Sequence, residues 1–183
     1  QTAAAFPLKL LESGPAAGAL AAVFFGRLTG NSRLLSFDIG GTTAKACLID
    51  GHRPSVTAEF EAARVDRFKR GSGYPVRLPA INLIEIGAGG GSIARVDGMG
   101  LLKVGPASAG ADPGPACYAQ GGTQATVTDA DLIMGYLNPA FFLGGDMTLD
   151  CTAAERSINE HLTRPVGLSM IDVATGIHRI VNE

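Results

Sequence analysis

The chain has 183 residues, of which 46% are hydrophobic, and its formal net charge at pH 7 is -2. This length predicts one domain, or one domain with a terminal extension, that buries a real core. Without an excess of basic residues, the composition argues against nucleic acid as a partner. The longest apolar run, residues 16–25, falls short of the roughly 20 residues that a membrane span needs, and no basic segment typical of a signal peptide precedes it. Three widely spaced cysteines without CxxC spacing indicate reduced thiols and a cytoplasmic protein.

The first predicted elements are a helix and three strands. Ser13 is followed by Gly14 and Pro15, which is typical of an N-cap with proline in the first turn, and the helix is expected to end near Arg27. Apolar and β-branched residues then alternate in three segments separated by glycine turns. These predict consecutive strands of an antiparallel meander, over residues 34–39, 43–49 and 55–60.

The turn between the first two strands carries the clearest chemical signal. Residues 37–45 read Phe-Asp-Ile-Gly-Gly-Thr-Thr-Ala-Lys. Gly40 and Gly41 allow backbone N–H groups to approach phosphate oxygens closely, and Thr42 and Thr43 add hydroxyl donors. Asp38, at the end of the strand, would hold Mg²⁺ directly or through water. The alternative is a tight hairpin turn that binds nothing.

A second glycine cluster covers residues 87–92, between predicted strands 81–86 and 92–97. Ser92 stands where the dinucleotide-binding fingerprint has its third glycine, and a strand rather than a helix is predicted to follow, so a Rossmann site is disfavoured. A P-loop is excluded because the chain contains no Gly-Lys pair. The cluster is therefore either a functional loop or a mobile hairpin tip.

Two irregular segments are predicted further along the chain. Residues 64–79 form a surface loop whose basic residues are either solvated or placed to meet an anion; they are Arg64, Arg67, Lys69 and Arg70. Residues 105–122 are so rich in glycine and proline that they exclude regular structure, and a long ordered loop is usually functional. Within it, Cys117 is interpreted as a structural thiol, with a nucleophile or a metal ligand beside Asp112 as the alternatives.

The last third of the chain is predicted to be helical. Helices are expected over residues 129–137, 153–163 and 170–182, each preceded by a capping box with an acid three residues after a hydroxyl. The proposed boxes pair Thr128 with Asp131, Thr152 with Glu155, and Ser169 with Asp172. Asp129 is interpreted either as first-turn charge or as a carboxylate that lines a cleft. Strands followed by helices predict an α/β or α+β fold, with a mixed sheet and flanking helices.

Several segments together resemble the hydantoinase A/5-oxoprolinase family. They are Glu-Ser-Gly-Pro-Ala-Ala-Gly from residue 12, the turn at 37–45, Ile-Gly-Ala-Gly-Gly-Gly-Ser-Ile-Ala from 86, the Gly/Pro segment at 104–118, and Thr-Val-Thr-Asp-Ala-Asp-Leu from 126. The resemblance runs from about residue 12 to the end. It implies an actin-like ATPase domain of ribonuclease-H-like topology, as in acetate and sugar kinases, Hsp70 and actin. Residues 1–183 would be a single, partial hydantoinase A domain that forms the second ATPase lobe, with the first lobe upstream of Gln1.

The resemblance also implies an activity. Members use ATP and Mg²⁺ to phosphorylate and open a cyclic amide such as hydantoin, N-methylhydantoin or 5-oxoproline, with a second (B-type) subunit or fused domain as partner. Asp38, which also holds the metal, is the catalytic residue of this mechanism, and Asp129 is kept beside it as a catalytic candidate from its position at the start of a predicted helix. The expected phosphate contacts are Gly40, Gly41, Thr42 and Thr43, with Lys45 as an additional candidate. Gly89, Gly90, Gly91 and Ser92 are candidates for binding the nucleotide or the carbonyl substrate. The alternatives are a subunit of an acetone- or acetophenone-type carboxylase, which phosphorylates a carbonyl or enol, and a non-catalytic actin-like nucleotide-binding module.

Overall fold

A computed structural model of the chain describes residues 2–5, 7–62 and 71–183. The chain divides into two compact units, the first made of Gln1–Asp38 and Ala44–Ile86, the second of Ile39–Thr43 and Gly87–Glu183. The four basic residues predicted to meet an anion or solvent lie outside the described residues. Within the described ranges, no helix is both long and apolar enough to cross a bilayer.

The first unit opens with helices. Helix α1 spans Thr2–Ala5, a 3₁₀ turn spans Pro7–Leu10, and helix α2 spans Ser13–Thr29. The predicted helix is thus confirmed, but its N-cap position is Glu12, in a left-handed conformation without a side-chain cap, rather than Ser13. The helix ends where Gly30, at φ +74°, donates its N–H to Gly26 O. Gly26 has to be glycine because a Cβ there would lie 2.7 Å from the backbone oxygen of Asn31.

The strands of the first unit are short. In chain order they are β1 Leu34–Ile39, β2 Ala44–Asp50, β3 Arg53–Pro54, β4 Val56–Thr57, β5 Phe60–Ala62, β6 Tyr74–Val76, β7 Ala80–Ile81 and β8 Ile84–Ile86. Strand β2 lies beside β1 and also pairs with β3 and β8, while β4 pairs with β7 and β5 with β6. The first two predicted strands are confirmed, but the third, over residues 55–60, is wrong. Pro54 has no N–H to continue the ladder, and the segment divides between separate sheets.

The second unit contains an antiparallel hairpin of β9, Ser92–Val96, and β10, Leu102–Ser108. Leu102 lies opposite Val96 and Val104 opposite Ala94, after which the register shifts before Ser108 reaches Ser92. Regular structure therefore extends into residues 105–108, contrary to the prediction. The strands predicted over residues 81–86 and 92–97 are confirmed in β8 and β9, but the alternative of a hairpin between them is wrong, because β8 pairs with β2 and β9 with β10.

Helices complete the second unit. They are α3 Val127–Ile133, α4 Cys151–Ile158, α5 Arg164–Val166 and α6 Met170–Asn182. The Ser169 cap of α6 is confirmed. Helix α3 instead begins two residues early, with a capping box formed by Thr126 and Asp129, and α4 is capped by Asp150, whose side chain accepts from Ala153 N. The Thr128 and Thr152 boxes were therefore wrong.

The sequence predicts that the helix ends before Pro165, but the chain stays helical through this residue. A π-helical segment, Asn159–Thr163, joins α4 to α5, and the Arg164 N–H donates to Asn159 O in the wider turn. Pro165 consequently falls in the first turn of α5, where its missing N–H is tolerated.

The core of the second unit lies where the helices pack on the hairpin. Its buried members are Ala94, Ala125, Val127, Ala130, Ile158, Leu162, Val173, Ala174 and Ile177. Val96, Leu102 and Val104 of the hairpin pack against this cluster. Helices with antiparallel sheets confirm a mixed α/β fold, but the described strands form four separate sheets rather than the one mixed sheet predicted.

Candidate functional site

The predicted phosphate turn, residues 39–43, belongs to the second unit. Its Gly40 N–H donates to Thr43 O at 2.9 Å, which closes the turn. Gly40, Gly41 and Thr42 are exposed, and Thr43 is half-buried. Among the described residues the Gly41 N–H has no acceptor, and a Cβ at Gly41 would meet no atom within 4 Å. The turn thus presents open backbone, as a phosphate contact requires.

The second glycine cluster forms hydrogen bonds with the carbonyls of this turn. The Gly90 N–H donates to Gly40 O at 3.0 Å, and the Gly91 N–H donates to Gly41 O at 2.7 Å. Both carbonyls of the glycine pair are therefore fixed by donors from the same loop. The sequence predicts both glycine clusters but not that they bind each other.

Glycine is required in the second cluster because backbone packs against backbone. A Cβ at Gly89 would lie 2.5 Å from Gly40 O, and one at Gly91 would lie 2.8 Å from Gly41 O. The Gly89 N–H donates to Ser92 Oγ and the Ser92 N–H to Gly89 O, at 3.0 and 2.9 Å. All four N–H groups from 89 to 92 are therefore engaged, which supports a role in shaping the turn. Direct nucleotide contact by these residues stays a prediction.

Two hydroxyl residues missed by the sequence analysis also support the turn. Ser108 Oγ donates to Gly41 O at 3.3 Å. Thr128 donates both its N–H and its hydroxyl to Gly90 O, at 2.8 and 2.9 Å. Ser108 lies within the Gly/Pro segment and Thr128 lies ten residues after it, and only the fold shows what their hydroxyls reach.

Asp129 is completely buried. Its carboxylate accepts from Ala116 N at 3.3 Å, Cys117 N at 2.8 Å, Thr126 N at 2.9 Å and Thr126 Oγ1 at 2.7 Å. These donors occupy its oxygens and bind the Gly/Pro segment to the start of α3. The geometry supports a structural role, and the catalytic assignment of Asp129 stays a prediction without support from this arrangement.

Cys117 is also fully buried. Burial raises the pKa of its thiol far above the usual range, and the negative charge of Asp129 raises it further. A thiol that stays protonated is a poor nucleophile and a poor metal ligand. The structure therefore favours the structural interpretation of Cys117.

Asp38 and Lys45 belong to the first unit. Asp38 is exposed, in sequence two residues before Gly40, so its carboxylate is not sealed in an apolar interior. Lys45 Nζ contacts the Glu12 carboxylate and lies 3.9 Å from Glu85 Oε1. Because two carboxylates of its own unit balance its charge, Lys45 is a weak candidate for a phosphate ligand. The described ranges contain no cluster of three His, Cys, Asp or Glu side chains that would form a metal site by itself.

Comparison with known proteins places this geometry in a family. The family model described as Hydantoinase/oxoprolinase matches residues 1–183. The acetophenone carboxylase gamma subunit of Aromatoleum aromaticum is 38% identical over 176 residues, which are 96% of this chain and 23% of that protein.

Two solved structures resemble the chain. The ATP-dependent caprolactamase from Pseudomonas jessenii matches with a TM-score of 0.73 at 39% identity, and a nucleotide-free acetone carboxylase matches with a TM-score of 0.79 at 30% identity. Each match covers 93% of this chain and 23% of the other. The chain spans about a quarter of the length of the curated relatives that it matches, between 23% and 26% for the first three. The chain belongs to the hydantoinase/oxoprolinase family.

Proposed function

We propose that this chain supplies a phosphate-binding turn to an ATP-dependent enzyme. The observation that carries the proposal is the exposed turn whose Gly40 and Gly41 carbonyls are fixed by the Gly90 and Gly91 N–H groups, while the Gly41 N–H stays open. A backbone N–H that no side chain shields is what a phosphate oxygen needs. Both solved relatives are ATP-dependent enzymes, which supports the choice of ATP.

Residues of the turn and the preceding Asp38 have separate proposed roles. The Gly41 N–H and the hydroxyls of Thr42 and Thr43 donate to phosphate oxygens. The Asp38 carboxylate binds Mg²⁺ directly or through water, since Mg²⁺ in nucleotide sites takes only one or two carboxylates beside phosphate and water. ATP supplies the phosphoryl group that turns a carbonyl oxygen into a leaving group. Because its carbonyls are already fixed, the turn needs little reorganisation when charge develops in the transition state.

For the reaction, we propose ATP-dependent opening of a cyclic amide such as hydantoin, N-methylhydantoin or 5-oxoproline. Resonance makes an amide resist hydrolysis, and transfer of the γ-phosphoryl group from ATP to the amide oxygen, with ADP leaving, removes that resistance. One water then adds to the activated carbon and the ring C–N bond breaks, and a second water releases inorganic phosphate and leaves the open carboxylate. The caprolactamase relative is named for a cyclic amide, which supports this class of substrate. The chain would act in the cytoplasm as the second lobe of an actin-like ATPase, with a first lobe and a B-type subunit or fused domain as partners.

A carboxylase subunit is the second candidate. The acetophenone carboxylase gamma subunit is as similar in sequence as the caprolactamase alpha subunit, at 38% identity each, and the acetone carboxylase structure gives the higher TM-score. A turn that binds ATP phosphates serves either reaction. The substrate that accepts the phosphoryl group distinguishes them.

Substrate-dependent ATP consumption tests the proposal. The complete protein with its partner subunit is assayed with Mg·ATP and either 5-oxoproline, hydantoin, caprolactam, or acetone with bicarbonate. Stimulation by a cyclic amide supports the amidohydrolase, and stimulation only by acetone with bicarbonate supports the carboxylase. No stimulation by any of them would favour the non-catalytic nucleotide-binding module.

A further inference from the structure

We propose that Thr128 is a positioning residue that sets the geometry of the Gly40–Gly41 turn through the Gly90–Gly91 peptide unit. Thr128 lies outside the turn, in the first turn of α3. The consequence for nucleotide binding rests on the proposed function, whereas the consequence for the turn itself does not.

The argument begins with one planar peptide. The carbonyl of Gly90 and the N–H of Gly91 belong to the same unit and point in opposite directions, because a peptide bond is planar and trans. Thr128 donates twice to the Gly90 carbonyl, at 2.8 and 2.9 Å, and the Gly91 N–H donates to Gly41 O at 2.7 Å. Fixing the carbonyl therefore aims the N–H at the turn.

The contact between the Thr128 hydroxyl and Gly90 is tightly packed. Thr128 is buried, and a Cβ at Gly90 would lie 2.7 Å from Thr128 Oγ1. A methyl group in place of the hydroxyl would press on the Gly90 carbonyl and leave one of its hydrogen bonds unmade.

Thr128 is itself held in place from the other side. Its neighbour Asp129 forms the capping box of α3 with Thr126 and binds the N–H groups of Ala116 and Cys117. The start of α3 is thus bound to the Gly/Pro segment, and Thr128 connects the start of α3 to the Gly90–Gly91 peptide. Holding the start of α3 in place is thus a role for the buried Asp129 carboxylate that needs no catalytic step.

Hydrogen–deuterium exchange of the complete protein, followed by mass spectrometry of peptides over residues 87–92, tests the positioning role. We expect Thr128→Val to speed exchange of the Gly90 and Gly91 amides about fivefold, the factor for loss of one ordinary hydrogen bond. Thr128→Ser keeps the hydroxyl and should restore the wild-type rate. Thr152→Val is the matched control, since Thr152 holds the equivalent position in α4, is exposed, and has no hydroxyl partner among the described residues. Exchange in α6 should not change in any variant.

Each outcome decides one question. Unchanged exchange over residues 87–92 in Thr128→Val, or equal acceleration in α6, would overturn the positioning role. If Thr128→Val does not fold, Thr128→Ala removes the hydroxyl without the added methyl and gives the same test.

Calorimetric titration with Mg·ADP separates this inference from the proposed function. Faster local exchange with about tenfold weaker Mg·ADP binding, rescued by Thr128→Ser, supports both. Faster local exchange in a protein whose wild type does not bind Mg·ADP supports the positioning role and contradicts the proposed function. Faster exchange with unaltered affinity would overturn the link from Thr128 to the nucleotide.

Discussion

Gly89→Ala tests how tightly the two glycine segments pack. Gly89 does not have a positive φ, so alanine is compatible with its backbone and the effect comes from contact alone. The new Cβ would lie 2.5 Å from Gly40 O and 2.9 Å from both the carbonyl carbon and oxygen of Gly41. These are backbone atoms, which cannot rotate away.

The expected loss of stability follows from three contributions. Overpacking typically costs about 1–3 kcal/mol. Separating the Gly90 N–H from Gly40 O costs about 0.5–1.5 kcal/mol more. The reduced entropy of the unfolded alanine chain offsets about 0.4–1 kcal/mol. We therefore expect Gly89→Ala to lower the free energy of unfolding by about 1–3 kcal/mol.

Urea unfolding followed by far-UV circular dichroism measures this loss. Gly41→Ala is the matched control, because its Cβ meets nothing within 4 Å and its φ is not positive. That variant should be as stable as wild type, or more stable by up to about 1 kcal/mol. A Gly89→Ala protein within about 0.5 kcal/mol of wild type, or an equal loss in Gly41→Ala, would refute the packing argument.

Three further predictions concern individual buried and exposed side chains. Asp129→Asn should lower the free energy of unfolding by about 2–4 kcal/mol in the same urea assay, because an amide cannot accept from all four donors around it. In the native protein a thiol reagent at pH 8 should label Cys151, which is exposed, and leave the two buried cysteines unmodified until urea is added. The number of labelled cysteines per chain, measured with and without urea, checks this. Burial raises the pKa of Asp131 more than its contact with His178 lowers it, so folding favours the protonated carboxyl. That contribution to stability is complete below the unfolded pKa of about 4 and is lost as pH rises through the folded pKa. Asp131→Asn should therefore gain stability relative to wild type as pH rises above about 4. Unfolding curves measured from about pH 3 to 7 check this.

Local signals in the sequence predict much of the fold. Helix α2, strands β1 and β2 and helix α6 are confirmed because their patterns and caps depend on neighbouring residues. The glycine turn between β1 and β2 is equally local, so its position is predicted to within one residue. Its exposure is not, since exposure depends on what packs around it.

Long-range contacts explain what the sequence misses. Residues 126–131 contain two overlapping hydroxyl-acid spacings, and propensity alone does not choose between them. The fold chooses the first, because Asp129 finds donors in the Gly/Pro segment while Asp131 turns to His178, 3.3 Å from its Nδ1. The bond between Gly91 and Gly41 likewise joins residues fifty apart, and no pattern within either glycine cluster encodes it.

The most direct test of the central claim is the affinity of the complete protein for Mg·ADP, measured by calorimetry for wild type and Gly41→Ala. A methyl group at Gly41 enters open space and leaves the fold intact, but it would stand where a phosphate oxygen approaches the Gly41 N–H. We predict that wild type binds Mg·ADP and that Gly41→Ala binds at least about tenfold more weakly, the equivalent of about 1.4 kcal/mol, with an unfolding midpoint no lower than that of wild type. Equal affinities, or no binding by wild type, would contradict the assignment of this turn to ATP phosphates.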